Sequence, residues 1–201
     1  MDRRAFPGTL VPPTKPRSRV NDISVSEDLR YPVGPFQFDG EVSPRTRVQR
    51  IAEIAGAPAH LREAVANLAP AQIDTPYRPG GWTVRQVVHH LPDSHLNAYS
   101  RIKLALTEEV PDIKPYEEAR WAELPDARSG PIEPSLALLE SLHQRWLLLL
   151  RQLRPPDFER RFRHPEHGRI FSVDEAVAMY AWHGRHHVAH ITSLRGRMGW
   201  S

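Results

Sequence analysis

The chain has 201 residues, 27 Lys and Arg against 24 Asp and Glu, a formal charge of +3 and no cysteine. That length suits one domain and can bury enough apolar surface to fold without staples. The lack of cysteine excludes disulfides, thiolate metal sites and a cysteine nucleophile, and it fits a reducing compartment without proving one.

The surplus charge is local. Residues 1–20 hold five basic groups and one acid, and the other 181 residues carry 22 basic and 23 acidic groups. A nucleic-acid-binding body would show excess positive charge on one face, and this near-neutral one gives no reason to expect nucleic acid as a partner. No run of 18 apolar residues exists to span a membrane. Arg3 and Arg4 are not followed by an apolar segment, so no signal peptide is expected.

In chain order, residues 1–28 are rich in Pro and Arg and lack a period, which reads as a disordered N-terminal extension. Residues 31–44 hold more aromatics and are expected to lie extended across the body. A first helix is predicted over 44–68, opened by Ser43 as N-cap and Pro44 at N1, with a kink at Pro58. A second is predicted over 83–109. It starts at a capping-box sequence, Thr83-Val84-Arg85-Gln86, and should bend at Pro92, which removes the donor to the Val88 carbonyl. Residues 110–133 read as a long polar connection with few regular signals.

A third helix is predicted over 134–153, with Leu136, Leu139, Leu142, Trp146, Leu149 and Leu150 on one stripe. Residues 158–171 alternate around a Pro-Glu-His-Gly turn, which predicts a short β-hairpin. A fourth helix follows over 173–198, opened by another capping-box sequence, Ser172-Val173-Asp174-Glu175. Four long helices imply an all-α domain, a four-helix bundle over residues 29–201, antiparallel in outline. Links of this length permit crossovers, so a simple up-down order is not required.

Eleven histidines occur, four of them between residues 183 and 190. Histidines at i and i+4 share a helix face, so His183 with His187, or His186 with His190, can aim at one ion. The flanking apolar residues slightly favour the first pair as inward-facing, without settling it. A third ligand should come from the second helix, where His90 lies beside Val87 and Leu91, with His89 and His95 as alternatives. The competing reading is a histidine-rich dimer seam or proton-sensitive patch. His60, His143, His164 and His167 read as surface residues.

The strings GGWTVRQVVHHLPDSHLNAYSRIKLALTEE, PYEEARW, SLALLESLHQRW and YAWHGRHHVAHITSLRGRMGW resemble the YfiT branch of the DinB superfamily. The earlier strings RYPVGPFQF and QIDTPYRPGGW fit it too, so the likeness runs from about Leu29 to the end. The resemblance implies a four-helix bundle holding one divalent ion, zinc or nickel, through three histidines, which fall here on His90, His183 and His187. It further implies a metal-dependent hydrolase acting on a small-molecule substrate, cytoplasmic and homodimeric. The wider superfamily adds the alternative of a transferase joining a low-molecular-weight thiol to an electrophile. Two departures stand out: Pro92 beside a ligand, and Arg185 among the histidines.

Three neutral imidazoles leave an ion its full charge and an open position, the mark of catalytic rather than structural sites. Asp93 and Asn97, one and two turns beyond His90, are candidates to orient an imidazole from behind. Tyr99, Arg101 and Tyr116 are pocket candidates on the resemblance alone, and no general base stands out. The non-enzymatic alternative is a metal-binding bundle without turnover.

Overall fold

The computed structural model describes residues 29–40 and 42–200, so the extension read over 1–28 lies outside the described residues. Four long helices carry the fold: α1 (Pro44–Val65), α3 (Val84–Thr107), α6 (Glu133–Leu150) and α8 (Val173–Met198). Short helices α2 (Pro70–Ile73), α4 (Glu118–Trp121), α5 (Pro125–Ser129) and α7 (Pro155–Phe158) lie in the links. Strands β1 (Arg161–His164) and β2 (Arg169–Ser172) pair antiparallel as the expected hairpin.

Local chemistry sets the helix starts. The Ser43 hydroxyl accepts from Thr46 N–H at 3.1 Å, with Pro44 in the first turn. At α3 the capping box is complete: the Thr83 hydroxyl accepts from Gln86 N–H at 3.2 Å, and Gln86 Oε1 accepts from Thr83 N–H at 2.9 Å. At α8 only half of the predicted box forms. Ser172 caps Glu175 N–H at 3.1 Å, while the Glu175 carboxylate pairs with Arg169 at 2.6 Å. Neither Pro58 nor Pro92 ends its helix. The link read as irregular over 110–133 contains α4 and α5. Its backbone is ordered by contacts at long sequence range, such as Ile113 N–H to the Arg163 carbonyl and the Gln86 amide to the Ala122 carbonyl.

The bundle is not alternately antiparallel. A bidentate Arg47–Asp174 pair, at 2.8 and 2.6 Å, joins the first turns of α1 and α8. At the far end Arg195 of α8 donates to the Ala64 and Ala66 carbonyls at the end of α1. These two helices therefore run parallel. The helices α3 and α6 run together in the opposite sense, because the link over 108–132 carries the chain back along the bundle. Around the bundle, α1 packs on α8 and α6, and α3 packs on α6 and α8.

Two apolar clusters fill the interior. One gathers Ile54, Ile102, Trp146, Val177 and the hairpin residues Phe162 and Phe171. The other gathers Leu61, Val84, Val87, Leu91, Leu139 and Ile191. Between them, at the middle turns of the long helices, lies a layer of histidines. The 31–40 segment lies along α8 as expected, with Trp182 Nε1 donating to the Gly34 carbonyl at 3.0 Å. Among the described residues no helix is long and apolar enough to cross a membrane.

Candidate metal centre

The structure brings His90 of α3 together with His183 and His187 of α8: one ring nitrogen from each lies within 4.8 Å of the others. Their rings are 4.5 to 5.2 Å apart, and Nε2 of His90 stands 3.2 Å from Nε2 of His183. Trp82 lies over His90 and His187 and shields them on one side. Burial holds all three imidazoles neutral, with His90 pushed down to about 3 and the other two well below the ordinary range. Neutral imidazoles keep a lone pair for coordination, so the donor set suits a divalent ion of borderline softness.

The partners of the remaining histidines determine which nitrogens carry protons. His143 Nδ1 meets the Ile54 carbonyl at 2.7 Å, and a carbonyl only accepts, so His143 is protonated on Nδ1. Its Nε2 is then an acceptor, 2.8 Å from His95 Nδ1, which must donate. His95 Nε2 is left to accept from His183 Nδ1 at 3.1 Å. The chain ends with a bare lone pair on His183 Nε2, facing His90. A second relay does the same for His187. His190 Nε2 donates to the Arg30 carbonyl at 3.1 Å, and His190 Nδ1 accepts from His187 Nδ1 at 3.4 Å.

These relays sort the histidines left open by the sequence. The alternative pair His186 and His190 is otherwise engaged: His190 holds its two partners and stacks on Tyr77, and His186 stacks on Trp182. His89 turns to the Ser135 hydroxyl and the Gly130 carbonyl. His95 stands behind His183. His60 and His167 are exposed as expected, but the surface reading of His143 and His164 is corrected, since they are 1 % and 8 % exposed. His143 was findable: it is four residues beyond Leu139 and three before Trp146, on the buried stripe of α6.

For Asp93 and Asn97, the candidates to orient an imidazole, the structure shows one local contact. The Asn97 amide donates to the Asp93 backbone carbonyl at 2.9 Å, and neither side chain hydrogen-bonds an imidazole among the described residues. Burial, with Asp126 nearby, raises the Asp93 carboxyl to about 6.

A cavity of about 430 Å³ opens onto the centre at His183. Arg101 and Tyr116 line it, together with Tyr180, which sequence reasoning missed; Tyr99 instead packs towards Trp146. Ala98, Phe162, Phe171 and Met179 give it an apolar wall, and Ser94, His164 and the charged residues Glu117, Glu118, Arg120 and Glu166 line the rest.

Against known families, residues 53–191 match the DinB superfamily. A protein of Bacillus mycoides (strain KBAB4) is 53 % identical over 174 residues, which covers 87 % of this chain and 99 % of that one. One of Oceanobacillus iheyensis is 57 % identical over 171 residues, covering 85 % and 98 %. Both carry the name "Putative metal-dependent hydrolase". Among solved structures, YfiT from Bacillus subtilis superposes with a TM-score of 0.85 at 49 % identity, covering 87 % of this chain and 99 % of its own. It is described as a probable metal-dependent hydrolase with an unusual four-helix bundle topology. By sequence and by fold, this chain belongs to the DinB superfamily, in the branch that YfiT represents.

Proposed function

We propose that this protein is a metal-dependent hydrolase of small molecules, with one zinc or nickel ion held by His90, His183 and His187. The observation that carries this reading is the convergence of three neutral imidazoles, two of them with Nε2 left unprotonated by hydrogen-bond relays that end on backbone carbonyls. Among the described residues the group has three protein ligands and no fourth, which supports chemistry over a purely structural role. An ion there supplies Lewis acidity, which activates water towards a carbonyl carbon or a thiol towards an electrophile.

The chain's own residues do the rest. His95 and His143 fix the ring of His183, and His190 fixes that of His187. Trp82 keeps bulk water from one side of the centre, which strengthens electrostatic interactions inside it. The cavity at His183 has the size and the mostly apolar lining of a small-molecule site.

The test is metal analysis of the native protein, followed by turnover of a generic ester or amide with and without added small thiols. The expected result is one ion per chain and cleavage that needs no thiol. Turnover that requires a thiol would make the protein a transferase, and a bound ion without turnover of either kind would make it a metal-binding bundle. Metal content that survives replacing His90, His183 and His187 together by Ala would overturn the ligand assignment.

A further inference from the structure

Buried polar atoms without partners are rare in folded proteins and call for an explanation. Among the described residues six side-chain atoms lack a partner at full hydrogen-bond geometry, and three of them, Arg101 Nε, Tyr116 Oη and His164 Nδ1, belong to residues lining the cavity at His183; the Tyr116 phenol has only a weak contact with the Ser94 hydroxyl. They come from three separate elements: α3, the 108–132 link and β1. All can donate. Burial raises the Tyr116 phenol, which keeps its proton, and lowers the His164 imidazole towards its neutral form.

Arg101 also has no counter-ion. Its Nη2 donates to the Lys114 carbonyl at 3.3 Å, and no carboxylate lies within ion-pair distance among the described residues. The acids that line the cavity, Glu117, Glu118 and Glu166, are exposed at its mouth. Arg120, the other cation of the lining, is exposed and paired with Glu117, so the inner part of the cavity holds one part-buried cation and two further donors, beside a wall of Phe162, Phe171 and Met179, with His183 on another side.

Resting on the hydrolase reading, we propose that the substrate is a small carboxylic acid with an apolar body. Its carboxylate sits against Arg101, with Tyr116 and His164 as further donors, and its reacting bond lies towards His183. A planar carboxylate matches the fork of a guanidinium, and a monoanion matches the one cation of the inner cavity that has no carboxylate partner. A phosphate dianion would meet stronger repulsion from Glu117, Glu118 and Glu166 at the mouth. The apolar wall takes a hydrocarbon or aromatic body between the two polar ends. N-acyl amino acids, with a carboxylate a few bonds from an amide, exemplify the class.

The test compares two probes of one shape on the metal-loaded protein by calorimetry: 3-phenylpropanoate and 3-phenylpropanamide. The acid is expected to bind ~10-fold more tightly, the scale of one hydrogen bond to a charged group. Arg101→Gln should bring the ratio to about one, while Arg101→Lys retains part of it because the charge remains. Tyr116→Phe should lower the ratio several-fold, and it serves as the second variant if Arg101→Gln proves unstable in a thermal melt. An equal ratio in the native protein overturns the proposal. So does a preference that persists in both Arg101→Gln and Tyr116→Phe, since the acid would then be held elsewhere, for instance by the ion. Metal content, measured on the same samples, reports separately on the hydrolase reading: a native chain without an ion sinks that reading whatever the probe ratio.

Discussion

His95 shows how a side chain outside the metal-binding trio can govern the centre through one of its members. It is fully buried, and its two nitrogens are committed to His143 and His183. Replacing it by Phe keeps the volume and the aromatic contacts with Trp146 and Tyr180 but removes the acceptor for His183 Nδ1. His183 is then free to carry its proton on either nitrogen. We expect His95→Phe to weaken metal affinity by about 10–100-fold, the usual cost of losing a partner behind a ligand. His95→Gln, which can still accept, should restore part of it. A competition titration against a chromogenic chelator reads both, and equal affinity in all three proteins would refute the relay. The spacing in sequence put His90, His183 and His187 forward as candidates. It could not show what stands behind them, because hydrogen bonds between His95 and His143, 48 residues apart, are made by packing.

The helix pair α1 and α8 approaches closely where the centre is built. A Cβ added at Gly184 would stand 3.0 Å from Ala57 Cβ and 3.9 Å from His95 Cε1. Gly184 therefore lets α8 come near enough for its flanking histidine, His183, to reach His95. Gly184→Val should destabilise the fold by about 1–3 kcal/mol through overpacking, and Gly184→Ala by less. Denaturant midpoints measure this, and a midpoint unchanged in the Val variant would show that the interface has slack. Helix starts were legible because caps are local: Ser43, Thr83 and Ser172 all cap as their sequences suggest. The capping box at Ser172 closed only by half because Arg169, on the hairpin strand, takes the Glu175 carboxylate. An ion pair to a strand outside the helix is invisible to a four-residue pattern.

Across the whole molecule, a polar layer lies between two apolar clusters, and this ties stability to pH. Burial holds His143 down to about 4 and lowers His89 as well. In the unfolded chain both titrate near the ordinary value of about 6.5. Between those values the unfolded state binds more protons than the folded one, so stability rises with pH there and falls on acidification. The contribution is complete above about pH 6.5 and is lost progressively as pH drops towards 4. The slope is at most ~1.4 kcal/mol per pH unit for each such imidazole. We expect the melting temperature of the metal-free protein to be level from pH 8 to 7 and to drop below about pH 6.5. The drop should be shallower in His143→Gln, and an equal slope in that variant would mean that His143 does not stay neutral in the fold.

The sequence by itself determined the number, approximate extent and starts of the long helices, the hairpin and the class of fold, and it narrowed the metal ligands to two histidine pairs on α8 and three histidines on α3. Those features depend on periodicity, caps and i to i+4 spacing, which act over a few residues. The tertiary structure alone decided that α1 and α8 run parallel and that His164 is buried. It also decided that Arg101, Tyr116 and His164 share one cavity. These are contacts between residues far apart in the chain, set by how the 108–132 link returns the backbone along the bundle, and no local pattern encodes that path.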